Sequence, residues 1–218
     1  MAAALGAAAT GAHAAAVFWE PTPYLSSADI PMGFYAGNLP GFLDTLEDGT
    51  LDGQLSTSSG AVIGPGQFDG ARDSVDADDG SIDGSGIAGR SFFQNPGFVG
   101  VTITFNGSQL PTSFGLVWTD GFGDVTFSAV GGNGVSLGAI TRSGFADGTV
   151  LGTTVDDRFF GVQSDGGIRS ISISHTAGGL EIDHIQYGSM PAVPEPASAW
   201  LMLAGIGLLA LRRLRRPD

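Results

Sequence analysis

Between Phe98 and Tyr187, apolar and polar residues alternate in short runs broken by turn residues. Val99, Val101, Ile103 and Phe105 fall on one side of a strand, with Gly100, Thr102, Thr104 and Asn106 on the other. Val125, Phe127 and Ala129 alternate with Thr126 and Ser128, and Ile171 and Ile173 alternate with Ser170, Ser172 and Ser174. A period of two is what a strand with one buried face requires. Further runs cover Phe114–Thr119, Gly134–Ile140, Arg158–Gln163 and Leu180–Tyr187. Asn106-Gly107, Asp120-Gly121, Asp147-Gly148 and Asp165-Gly166-Gly167 punctuate them as turns. No stretch between residues 17 and 193 keeps a helical period over three turns. The pattern predicts an all-β fold, an antiparallel β-sandwich of jelly-roll type.

Residues 17–65 are less regular. Glu20-Pro21-Thr22-Pro23 and Ile30-Pro31 border edge strands or loops, because proline cannot donate to a sheet ladder. Leu43 to Asp52 reads equally as a short strand pair or a turn of helix. This part is too short for a core of its own and is assigned to the same domain, which spans 17–190.

Composition removes several classes of function. The 36 Gly among 218 residues follow no G-X-Y period, against collagen and against a helical bundle. The chain has no Cys, which excludes disulfides, thiolate zinc sites and thiol catalysis. It has no Lys either, so no phosphate-cradling loop of the Gly-Lys type exists. The formal charge is −13. Residues 1–193 hold five Arg and twenty acids, a charge of −15, and a body so acidic is repelled by nucleic acid.

Both ends differ from this body. Residues 1–16 are nearly all Ala and Gly, and Ala12-His13-Ala14 fits the small-x-small rule of a signal peptidase site. No Lys or Arg precedes it, so the expected positive start of a signal peptide lies upstream; the alternative is an Ala-rich tail. Residues 191–218 form a second unit. Ala197–Leu211 is fifteen residues without a charge, about 22 Å as a helix, against the ~30 Å of a bilayer core. Trp200 at one interface and Arg212, Arg213, Arg215 and Arg216 at the other extend its reach. The four Arg set a cytoplasmic C-terminus and leave the acidic body outside.

Pro194-Glu195-Pro196, the short apolar span with Gly205-Ile206-Gly207, and the Arg-rich end resemble a PEP-CTERM sorting signal in order and spacing. The resemblance implies export in a Gram-negative bacterium and transient anchoring in the inner membrane, with the body in the periplasm. It also implies recognition of Pro194, Glu195 and Pro196 by an exosortase. Cleavage there would send the body to the cell surface or an exopolysaccharide matrix. Two prolines hold such a segment extended, as a protease substrate must be. The body also resembles an uncharacterised β-sandwich found with this signal. The resemblance rests on Asp73–Gly80, Leu110-Pro111-Thr112, Val117–Asp120, Asp157–Val162 and Glu181–Gly188.

Three places could carry chemistry. Asp69, Asp73, Asp76, Asp78, Asp79 and Asp83 crowd one Gly-framed segment, and hard oxygen ligands suit calcium. The helix-loop-helix calcium signature is out of frame, since Gly80 stands fifth from Asp76 where the glycine should be sixth. A solvated acidic loop is the favoured reading and a structural calcium the other, with Asp183 a further oxygen ligand. Glu181 and Asp183 share a strand face about 7 Å apart, as paired carboxylates of a glycoside hydrolase could. The run resembles the E-I-D-x-x-E strand of laminarinase-like hydrolases, but Gln186 stands where their acid/base Glu would be and cannot move a proton. Trp118 and Asp120 flank a Gly-rich turn where a ring could stack on a sugar, although Trp118 shares parity with Phe114 and Leu116 and hence the core. His175 reads as exposed after its Ser-rich strand, and His184 as packed.

The sequence therefore predicts an exported, non-enzymatic surface or matrix protein with a structural or weak carbohydrate-binding role. The alternatives are a polysaccharide hydrolase and a calcium-dependent adhesin.

Overall fold

The computed structural model describes residues 15–35, 41–67 and 72–189. In chain order the strands are β1 (Val17–Pro23), β2 (Phe42–Asp44), β3 (Leu55–Thr57), β4 (Ala61–Ile63), β5 (Ser91–Gln94), β6 (Gly100–Phe105), β7 (Ser113–Phe122), β8 (Val125–Gly131), β9 (Ser136–Arg142), β10 (Arg158–Gln163), β11 (Ile168–Ser174) and β12 (Ala177–Gly188). Among the described residues the only helical turns are 3-10, at Ser27–Asp29 and Asp76–Asp78. The first sheet runs β1-β10-β7-β12-β5-β4, with β2 also on β12; the second runs β3-β6-β11-β8-β9. All strand pairs are antiparallel. The order β10-β7-β12-β5 facing β6-β11-β8-β9 is that of an eight-stranded jelly roll, with β1, β3 and β4 extending its edges and β2 pairing with β12.

Alternation places the core. Val101, Ile103 and Phe105 of β6 meet Ile171 and Ile173 of β11, which pair in turn with Ala129 and Phe127 of β8. Phe114, Leu116 and Trp118 of β7, Phe160 and Val162 of β10, and Leu180 and Ile182 of β12 close the layer from the other sheet. Val99 departs from expectation: β6 begins at Gly100 and Val99 is 81 % exposed. β1 lies at a sheet edge, and its pairing with β10 shifts between Trp19 and Thr22, around Glu20 and Pro21. An edge is where a proline-containing strand can sit, since the missing N–H has no ladder partner to lose there.

The first sheet is covered on its outer face as well. Tyr24, Phe34, Val75, Val117 and Phe159 form a second apolar cluster there, built by the segment after β1 and the loop before β5. Nine of the ten positions of β7 are consequently buried. The outer layer also encloses Asp73, Asp76, Asp156, Asp157, Glu181 and Asp183.

Candidate metal centre

Leu180 and Ile182 point into the inter-sheet core, so Glu181 and Asp183 point to the covered outer face. His184 has φ +42° and lies where the pairing of β12 with β7 slips between Asp183 and Gln186. Such a bulge inserts one residue and resets the alternation, so the ring of His184 joins Asp183 on the outer face while Ile185 returns to the core. A second slip sets Glu181 opposite Asp120 but Ile182 opposite Trp118. Asp157, just before β10, shares the parity of Phe159 and faces the same layer.

The loop carrying Asp73 to Asp83 is strapped onto this face by its own backbone. Glu181 accepts the Asp73 N–H at 2.8 Å and the Ser91 hydroxyl at 2.9 Å. Asp183 accepts the N–H groups of Val75 at 3.0 Å and His184 at 2.6 Å. The Thr119 hydroxyl donates to the Asp73 carbonyl at 2.8 Å. His184 reaches the Tyr24 hydroxyl through Nδ1 at 2.9 Å and Asp78 through Nε2 at 2.8 Å.

Among the described residues three acidic groups result, each able to bring three ligand atoms within 4.8 Å of one another. Asp76, Asp79 and Asp83 form one; Asp76 accepts from the N–H groups of Asp83 and Gly84 and from the Thr154 hydroxyl, which closes the loop. Asp78, Asp183 and His184 form the second, already joined by hydrogen bonds. The third is Asp73, Asp156 and Asp157, which are 3 %, 1 % and 0 % exposed. Here Oδ1 of Asp73, Oδ1 of Asp156 and both oxygens of Asp157 are buried without a hydrogen-bond partner, as is Oδ1 of neighbouring Asp120.

The electrostatics follow from burial and crowding. Desolvation, then the charges of Asp157 and Asp156, push Asp73 up to about 11. Desolvation raises Asp156 to about 7, Glu181 to about 8 and Asp120 to about 6. Asp157 rises well above the carboxylate range through burial and then the charge of Asp156. Arg158 counters the rise at Asp156 and Asp157 only weakly beside burial, and a buried carboxylate left unpaired costs several kcal/mol, so this arrangement calls for protons or a further cation. Hard oxygens in a dry site suit calcium, whereas the soft or nitrogen ligands of zinc sites are missing: the chain has no Cys and the His184 ring is engaged.

The residues expected from sequence are thus divided rather than gathered. Asp73 joins residues 156 and 157, Asp78 and Asp183 join His184, and Asp76, Asp79 and Asp83 stay together. The solvated-loop reading is overturned for Asp73 and Asp76, which the outer layer encloses. Asp156 and Asp157 were not singled out as ligands. The signal for them was Phe159-Phe160, two successive apolar residues that announce a strand covered on both faces. Trp118 lies in the core at 0 % exposure, as its parity with Phe114 and Leu116 indicates, and Asp120 beside it is buried. His175 is buried at 6 % exposure, contrary to expectation. Gln186 donates through Nε2 to the Tyr24 hydroxyl at 3.2 Å and accepts from the Tyr35 hydroxyl at 3.3 Å. Asp69, residues 1–14, Pro194, Glu195, Pro196, the 197–211 span and the four terminal Arg lie outside the described residues.

No curated protein matches the chain. Among solved structures, the enzymatically active domain of tailspike protein 4 from bacteriophage CBA120 is similar at 14 % identity and a TM-score of 0.34, over 66 % of this chain and 20 % of that one. The chain thus spans a fifth of the length of that structure. Residues 192–216 match the PEP-CTERM protein-sorting motif, and the chain therefore carries the signal for export and exosortase-dependent, membrane-anchored sorting.

Proposed function

We propose that this jelly roll is a structural component of the cell surface or extracellular matrix, released to its place by exosortase cleavage. The observation that carries the reading is the use made of Glu181 and Asp183. The two carboxylates that most resemble catalytic machinery are buried and accept backbone N–H groups of Asp73, Val75 and His184, so they hold a loop onto the sheet. Gln186, in the position of an acid/base, is equally enclosed between two tyrosines. A weak association with exopolysaccharide fits the same role through surface groups.

Three measurements test it. In cells with an intact exosortase, Glu195→Ala is expected to accumulate as an unprocessed membrane-bound form, and unchanged processing and location would sink the sorting step. Incubation of the protein with polysaccharides is expected to release no sugar. Release that disappears in a folded Asp183→Asn variant would establish the hydrolase instead, and tight sugar-specific binding on a glycan array would replace the structural role by a lectin one.

A further inference from the structure

We propose that Asp73, Asp156 and Asp157 hold one calcium ion beneath the outer face of the first sheet. The proposal is independent of the structural role above and rests on which carboxylates lack partners. Of the three acidic groups, two are internally satisfied: Asp76 closes its own loop, and Asp183 and His184 are engaged by backbone, Tyr24 and Asp78. In the third, four carboxylate oxygens on three side chains at least nine-tenths buried have no hydrogen-bond partner. Ligand oxygens of these three residues lie within 4.8 Å of one another. Two oxygens that share an ion at about 2.3–2.6 Å stand at most roughly 4.6–5.2 Å apart, so the spacing is that of ligands to a single calcium, with small side-chain adjustments closing the shell.

The identity of the ion follows from the same setting. Magnesium keeps several waters and demands near-octahedral geometry, whereas calcium accepts irregular, bidentate and fully protein-supplied oxygen sets. Asp157, with both oxygens unpartnered, is suited to bidentate ligation, and Asp120 lies close enough to add its charge to Asp73 and Asp156. Entry needs only a local opening, because Val155, next to Asp156, is 70 % exposed. The two halves of the site come from the loop before β5 and the loop before β10, so the ion would join segments distant in sequence.

The test uses the full chain in detergent, stripped with EDTA and passed into metal-free buffer at pH 8, with calcium chloride and magnesium chloride as the probes. Calorimetric titration is expected to show one high-affinity calcium per chain. The melting midpoint should rise by about 5–10 °C at a hundredfold excess over Kd, with a much smaller response to magnesium. Asp157→Asn and Asp156→Asn should each lose most of the calcium response and melt above the wild type in EDTA, because each relieves the crowding of buried carboxylates that lack hydrogen-bond partners. Asp76→Asn should melt lower and keep the calcium response. Absence of calcium binding by the wild type, or a response undiminished in both Asp156→Asn and Asp157→Asn, would overturn the proposal. Should one asparagine variant fail to fold, the other and the wild-type stoichiometry decide.

Discussion

His175 follows β11 in a place where a neutral ring fits and a charged one does not. Burial lowers its pKa, the backbone of Ala177 and Phe122 acts in the opposite sense, and its Nδ1 has no partner. A histidine depressed in the folded state stabilises above its unfolded value of about 6.5, and that contribution is lost as pH falls below it. The melting point of the wild type minus that of His175→Asn, measured in calcium, should therefore decrease from pH 7.5 to pH 5. A difference that stays constant over this range would remove the argument. Trp118→Ala belongs to the same scale. Loss of a fully buried indole from the inter-sheet core should cost about 3–5 kcal/mol in urea unfolding, and a near-neutral result would mean the ring is not in the core. The parity of Trp118 with Phe114 and Leu116 made that burial readable in the sequence. His175 was not readable, because the serines before it look solvent-facing while the neighbouring turns enclose it from outside the strand.

At the scale of elements, the loop before β5 depends on close backbone approach. The Gly86 carbonyl accepts the Ser74 N–H at 3.2 Å and the Ser74 hydroxyl, and the Gly86 N–H donates to Gly152 at 3.0 Å. A Cβ at Gly86 would overlap the Ser74 carbonyl. Gly86→Ala should then destabilise by roughly 1–3 kcal/mol through overpacking, and should speed proteolysis between residues 72 and 89. Wild-type stability in that variant would show that the strap is loose. Strands with several alternating residues, such as β6, β8 and β11, were legible because their own side chains encode which face is buried. β2, β3 and β4 are three residues each, too short for a period to register, and their pairing partners lie far along the chain. The acidic site failed to show for the same reason. Asp73 stood out within a local cluster, whereas Asp156 and Asp157 reach it only through the fold.

The whole molecule carries its charge unevenly, with −15 on residues 1–193 against a basic end. Self-repulsion among surface acids weakens a compact state at low salt. In EDTA at pH 8, raising sodium chloride from about 10 to 150 mM should lift the melting point by a few degrees over the screening range. A flat or falling curve would mean that the surface charges are locally balanced, as Glu20 and Arg142 are by their ion pair.

Among the described residues β12 is the last strand, and it lies inside the first sheet, between β7 on one side and β5 and β2 on the other. From its final residue Gly188 to Pro194 is six residues, at most about 20 Å even if fully extended. The folded body is thus on a short leash. Under the proposed sorting step, a protease acting near Glu195 would cut within a few residues of the sheet. Cut there, the body would keep a stub too short to serve as a spacer.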